Sequence, residues 1–421
     1  MATVSAVSAA PIEGVLYEPP TKQRVDSIDL LRGLVMVIMM LDHTRDFMSA
    51  AAFQFDPTDL SRTTVAIFFT RWITHFCAPV FFFLAGTGAY LRRARGATAG
   101  EMSRFLVSRG LWLIVLELTV VRIGLFFDFR VADNMYGLTI WALGWSMIVL
   151  AVLVHAPLWF TTSFGVVMIA VHNAFDGMRV PSWQPGTPDT LSVAQKLAMV
   201  LHQPGVFSLA GGHAPVFVPL YSLIPWVGVM AAGYGFGRLY TLDAEVRRRA
   251  LLRIGGAVVA LFVLLRFSNL YGDHSKWSVQ PRAMFTVLSF LDTAKYPPSL
   301  LYLCMTLGPA ILFLAVLERQ RRGPIGEALV TFGRVPMLFY LLQWYVAHLL
   351  ALAAYTATGK PTDVLFGDPT QPRSPELAAR SGFSLAVVYV FWITGVLLIY
   401  PICKRYAAFK QRRRDWWLGY L

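Results

Sequence analysis

Charge is what this sequence has least of: only 14% of its 421 residues are Asp, Glu, Lys or Arg, where a soluble domain carries about 25%. So few charges cannot solvate a globular surface of this length, which argues against an ordinary soluble fold. Cysteine is scarce as well. Cys77, Cys304 and Cys403 fall in or beside apolar runs and make no framework spacing, so neither a disulfide scaffold nor a metal site is expected. Residues 1–22 lack the charged start, apolar middle and cleavage site of a secretory signal. No P-loop, nucleotide fingerprint or serine elbow stands out, and no internal repeat favours an inverted-repeat transporter.

What is present is apolar. Hydrophobic residues make up 56% of the chain and the mean hydropathy is +0.55. They gather into runs near the roughly 20 residues that cross a bilayer's hydrocarbon core. Ten such runs can be read: Ile28–Met48, Val65–Leu91, Arg104–Phe127, Leu138–His155, Pro157–Phe175, Val216–Leu239, Leu251–Leu270, Ser299–Leu317, Leu329–Ala354 and Ser384–Cys403. The expected fold is therefore all-α, a polytopic transmembrane helix bundle of about ten spans. It divides into a disordered tail (1–23), the membrane domain (24–403) and a basic tail (404–421).

The net charge of +13 would suggest nucleic acid in a soluble protein. Here the basic residues sit between apolar runs: Lys22 and Arg24; Arg92, Arg93 and Arg95; Arg247, Arg248 and Arg249; Arg319, Arg321 and Arg322; and Lys404 to Arg414. The alternate loops, 49–64, 128–137, 176–215, 271–298 and 355–383, are long and far less basic. The positive-inside rule then puts both termini in the cytoplasm, requires an even number of spans and makes the bilayer, not nucleic acid, the partner. Within 176–215, Leu191–Leu201 reads as a short interfacial helix.

Ionisable residues inside spans are costly and are usually kept for function. Most of them lie in the outer half. The first run ends with Asp42, His43, Arg45 and Asp46; the second begins with Arg71 and His75; Glu117, Arg122 and Arg266 close other runs; and Asp292, Lys295 and Tyr296 precede the eighth. So many on one side suggest a shared, water-accessible cavity. Asp42 and Asp46 share a helix face, and His43 lies three residues from Asp46. A carboxylate one turn away can orient an imidazole for general-base work. Pro79 cannot donate to the carbonyl of His75, so a kink is expected there. Gly86-Thr87-Gly88 reads as close helix packing. Asp29 and Arg32 read as an interfacial pair or a phosphate contact, while His155, His172, His202, His274 and His348 read as packing or loop residues.

These residues carry a resemblance. Arg24-Val25-Asp26-Ser27-Ile28-Asp29-Leu30-Leu31-Arg32-Gly33-Leu34, continuing to Leu41-Asp42-His43, resembles the opening of the heparan-alpha-glucosaminide N-acetyltransferase catalytic-domain family. Thr74-His75-Phe76-Cys77-Ala78-Pro79 through Gly86 is similar to its second-helix pattern. Phe290-Leu291-Asp292 with Lys295-Tyr296-Pro297-Pro298, Phe332-Gly333-Arg334-Val335-Pro336 and Trp416-Trp417-Leu418 resemble further motifs of bacterial members. The resemblance implies a membrane-embedded acyltransferase of a bacterial inner membrane. It would move an acetyl group from cytoplasmic acetyl-CoA, a co-substrate, to an acceptor such as a sugar or glycan on the outer side. The animal enzymes carry asparagine where His43 stands and a catalytic histidine in the loop after the first helix. Here 49–64 has no histidine, so that role falls to His43 or His75.

The expected roles follow. His43 is the base, with Asp46 or Asp42 orienting it, and His75 assists. Arg45, Arg71, Arg122, Asp292, Lys295 and Tyr296 hold the acceptor. Arg32, Arg92, Arg93, Arg247, Arg248, Arg321 and Arg322 meet the CoA phosphates. No metal is expected, and a homodimer is left open. The rival reading is a transporter or exporter of a small polar solute.

Overall fold

The computed structural model describes residues 26–184, 186–319, 323–366, 374–413 and 415–420. The expected N-terminal tail, Arg321 and Arg322 lie outside the described residues. The helices are α1 (Asp26–Met48), α2 (Ala50–Gln54), α3 (Val65–Thr74), α4 (Cys77–Ala94), α5 (Ala99–Leu116), α6 (Arg122–Phe126), α7 (Thr139–Leu153), α8 (Leu158–Val171), α9 (Val193–Leu201), α10 (Leu223–Phe236), α11 (Ala244–Ser268), α12 (Ala283–Leu291), α13 (Leu300–Leu317), α14 (Pro324–Arg334), α15 (Pro336–Ala357), α16 (Pro375–Arg380) and α17 (Leu385–Arg412).

Among the described residues, six helical segments are long and apolar enough to cross a membrane: Val65–Ala94, Leu158–Phe175, Ala244–Ser268, Leu300–Leu317, Pro336–Ala357 and Leu385–Arg412. The other expected crossings fall on helices that are shorter (α7, α10) or carry more charge (α1, α5). Burial sorts the helices. Most of α13 is enclosed, whereas α8, α11 and α17 are mainly exposed and show outward residues such as Trp159, Leu264 and Leu397. Such apolar faces suit lipid, where backbone polar groups must be satisfied within each helix. The mostly buried α1 packs against α14, α15, α17 and α4.

Proline sets the breaks. The second expected run splits at His75–Phe76, between α3 and α4. The carbonyl that Pro79 cannot serve accepts instead from Tyr302 Oη at 2.7 Å. The ninth run splits into α14 and α15, because Pro336 holds Val335 out of the helical region (φ −129°, ψ 50°) and then starts the next helix itself. The sixth run does not begin as a helix at Val216. Val216–Val218 is β3 of a small sheet with β1 (Asn134–Tyr136) and β2 (Phe207–Ser208), in the order β1-β3-β2, with β1 parallel to β3. Pro219 keeps Val218 extended, so the purely α-helical expectation is corrected here. The last helix also runs on through the expected tail to Arg412.

Several helix crossings depend on glycine, α1–α14 and α4–α10 among them. A Cβ on Gly33 would land on the carbonyl oxygen of Leu329, and one on Gly333 would land on that of Asp29. α1 and α14 thus touch backbone to backbone. Gly86 meets the carbonyl of Met230 in the same way, and Thr87 Oγ1 donates to Gly233 O at 3.0 Å. Gly88 has open space around it. Overpacking costs about 1–3 kcal/mol where side chains can yield. Here the obstacle is main chain, so Gly33→Leu is expected to abolish the monodisperse peak on size exclusion in detergent. A Gly33→Leu protein that melts with the wild type would disprove the close contact.

Candidate active site

The last two turns of α1 carry the polar cluster. The Asp42 carboxylate takes Arg71 Nη1 at 2.9 Å on both oxygens, Arg45 Nη2 at 2.9 Å and the Thr74 hydroxyl at 2.9 Å. Lys295 Nζ stands 4.0 Å away. One carboxylate therefore gathers cations from α1, α3 and the segment before α13. Asp46 pairs with Arg45 at 2.6 Å and is half exposed. The His43 ring stacks on Trp344 with centroids 3.6 Å apart, and its Nδ1 is buried without a hydrogen-bond partner. Arg45 Nε and Nη1 are buried and unpartnered too.

These groups line a cavity of about 330 Å³, with Asp42, His43, Arg45, Asp46, Arg71, Lys295 and Tyr296 on its polar side. Trp344, Tyr221 and Thr139, which sequence reasoning missed, also line it, with a mainly apolar remainder that includes Phe47, Phe53 and Leu365. Three cations face two carboxylates, which leaves one positive charge in excess. That balance favours a developing oxyanion or an electron-rich acceptor. Among the described residues, neither Asp42 nor Asp46 hydrogen-bonds the His43 ring. Asp42 organises cations, and Trp344 sets the plane of the imidazole.

Other expected members stand elsewhere. His75 does not line the cavity; its ring meets Tyr302 edge-on at 5.5 Å. Arg122 is spent on the main chain, donating to the carbonyls of Asn134 and Asp128 and pairing with the Asp128 carboxylate at 3.3 Å. Glu117 accepts from the backbone N–H groups of Ile140 and Trp141, 2.7 and 3.1 Å away, and so caps the start of α7. Arg266 donates to the carbonyls of Ser275, Ser289, Phe290 and Asp292. Asp292 lies outside the cavity lining, where burial and then the nearby Asp56 push its carboxyl up to about 6. Glu117, Arg122 and Arg266 shape loops around the cavity without lining it.

A second cavity, of about 340 Å³, lies toward the other end of α1 and is lined by Arg32, Arg92, Arg95 and Arg109. Arg32 bonds Asp29 and the Gly333 carbonyl, each at 3.2 Å, and Arg92 lies over the Phe105 ring at 4.0 Å. Of the described arginines expected to meet a donor, only Arg32 and Arg92 line this cavity. Arg93 bonds the Ala97 carbonyl at 2.6 Å. Arg247 is paired with Glu318, and Arg248 follows it on α11. Arg109 was missed, although an arginine inside an apolar run signals a polar site. Its guanidinium donates to the Gly419 carbonyl.

The two cavities share walls. On α7, Thr139 lines the first and Leu143 the second, four residues or about 6 Å along the axis. On α15 the corresponding residues are Trp344 and Met337, about 10 Å apart. A basic chamber and a mixed-charge one are thus lined from the same three helices, α1, α7 and α15, at different heights. A sequence model described as heparan-alpha-glucosaminide N-acetyltransferase, catalytic, matches residues 24–271. The chain belongs to this family. The acetyltransferase match covers α1 to α11 and so includes Asp42, His43, Arg45, Asp46, Arg71 and the four arginines of the second cavity. Lys295, Tyr296 and Trp344 stand beyond its end. No curated protein matches the chain. As a member of the acetyltransferase family, this helical protein is a membrane transferase by family and composition.

Proposed function

We propose that the protein transfers an acetyl group from acetyl-CoA, held on the cytoplasmic side, to a sugar or glycan acceptor on the outer side of a bacterial inner membrane. Ten crossings with both termini cytoplasmic give the sidedness. The observation that carries this reading is the pair of chambers, one basic and one of mixed charge, lined by different residues of the same helices α1, α7 and α15. Arg32, Arg92, Arg95 and Arg109 offer fixed charge for the phosphates of CoA, since guanidinium matches phosphate geometry. The mixed-charge cavity receives the acceptor.

The transfer is direct. His43 Nε2 takes the proton from the acceptor's hydroxyl or amine as its oxygen or nitrogen attacks the thioester carbon. The carbonyl oxygen gains charge opposite Lys295, within the positive field of Arg45 and Arg71. Collapse expels the CoA sulfur, which recovers the proton from His43. Asp42 keeps Arg71, Arg45 and Lys295 in place, and Tyr296 lines the acceptor's side. His75 remains at the helix break.

The test uses purified full-length protein in detergent, with glucosamine as acceptor and thiol release from acetyl-CoA as readout. Arg32→Ala with Arg92→Ala is expected to raise the KM for acetyl-CoA about tenfold or more and to leave kcat within about twofold, as for lost ground-state binding. An unchanged KM would remove the donor site from this chamber. An exporter would release no thiol at all.

A further inference from the structure

A further cavity lies away from both chambers and shares no lining residue with either. It measures about 590 Å³, and its walls come mainly from α8, α10, α11 and α13. α10 packs closely on α8, and α11 on α13, but the two pairs meet only lightly, at α8 and α13. The cavity is the seam between them.

Its lining is almost wholly apolar, and the few polar side chains are already engaged. Thr162 Oγ1 donates to the Leu158 carbonyl of its own helix at 2.8 Å, and Tyr271 Oη donates to the Ala170 carbonyl at 2.6 Å. Cys304 adds a buried thiol, which packs as a small hydrophobe. Ordered water needs polar partners, and the seam offers almost none. A polar ligand would lose its hydration there without replacement.

The shape narrows the occupant further. On α13, Leu303, Leu307 and Ile311 form a floor that is 1%, 7% and 4% exposed, whereas Val166 of α8 and Leu261 of α11 are 53% and 43% exposed at the rim. The seam therefore opens sideways between α8 and α11, two helices whose outward apolar faces suit lipid. Its lining runs from Leu300 to Ile311 on α13 and from Ile254 to Leu265 on α11, in each case about 16 Å of helix. One leaflet of a bilayer's hydrocarbon core is about as deep, roughly 15 Å. Spread over that length, the volume leaves a cross-section of roughly 40 Å², about half that of a helix 10 Å across. A helix is too wide for it, and a chain of methylenes is not.

We propose that this seam binds one hydrocarbon chain of a bilayer lipid, lying along α13 within a single leaflet. The chain enters from the side, because Tyr271 ties the segment after α11 to α8 across one end. Once in place it fastens the α8–α10 pair to the α11–α13 pair, where the protein's own side chains leave a gap. The site is independent of the acetyl-transfer reading and needs only that these helices stand in a membrane.

The test is photolabelling of the purified full-length protein in phosphatidylcholine vesicles. The probe is the same lipid with a diazirine midway along one chain, and adducts are mapped by peptide sequencing. Adducts on Leu303 or Leu307, which a chain outside the protein does not reach, are expected beside those on Val166 and Leu261. Val258→Phe adds bulk to the lining of the seam. It should cut floor labelling about tenfold, the loss expected when contact with about two methylenes is forfeited, and leave rim labelling within about twofold. Adducts confined to the rim in the wild type overturn the site, whether or not the variant folds. Floor labelling that persists unchanged in a folded Val258→Phe protein does the same.

Discussion

His43→Asn lowers acetyl transfer by about 10²–10⁴-fold, the range for losing a general base, while the KM for acetyl-CoA stays within about threefold. A proton acceptor is needed beside the attacking group. Asp42 is committed to two arginines and Thr74 and faces Lys295, and Asp46 is committed to Arg45. Arg45, Arg71 and Lys295 are cations. The His43 imidazole is left. Its stack on Trp344 fixes the ring, and with Nδ1 sealed in the packing the exchange falls to Nε2. Asparagine suits the test because it is polar, smaller and carried at this place by animal members of the family the sequence resembles. It should keep the fold but cannot take a proton. Measured at equal amounts of monodisperse protein, activity within threefold of wild type would remove His43 from the chemistry.

The helical frame was largely legible because apolar runs report burial in lipid directly. α1, α8 and α13 begin and end close to their expected bounds, and the break at His75 follows from Pro79. The small sheet was not legible. Strands of two or three residues are too short to show alternation, and the β1–β3 pairing joins segments some 80 residues apart in sequence. The candidate site was half legible, for a physical reason. A charged residue in an apolar run must find a partner, but its sequence does not say whether that partner is another side chain or the main chain. Asp42, Arg45 and Arg71 found each other. Glu117, Arg122 and Arg266 found N–H and carbonyl groups of nearby loops, so they left the cavity they were assigned to. Trp344 gives no local signal, because an aromatic in an apolar helix looks like packing until a second element brings a histidine against it.

Asp42→Ala has the other large effect, and it falls on stability before activity. The carboxylate faces Arg71 with both side chains mostly enclosed, at 13% and 15% exposure. Arg45 and Lys295 stand around the same group. Removing the acid strands Arg71 and Lys295 in a shielded space, with Arg45 left to Asp46, and breaking such a pair from one side costs about 3–5 kcal/mol. The cost comes from the charges left behind, so it should shrink when a cation leaves as well. Asp42→Leu combined with Arg71→Met leaves Arg45 with Asp46 and only Lys295 uncompensated, and is expected to recover most of the lost thermal stability. It should stay inactive all the same, because the cations are no longer held around the reacting centre. If Asp42→Ala melts with the wild type, solvent already screens the cluster, and the cavity is too wet for Arg45 and Lys295 to stabilise an oxyanion strongly. If the double variant melts as low as Asp42→Ala, the loss lies in packing around α1 and not in stranded charge. The two melting curves thus decide whether this chamber is an electrostatic site, independently of any acceptor.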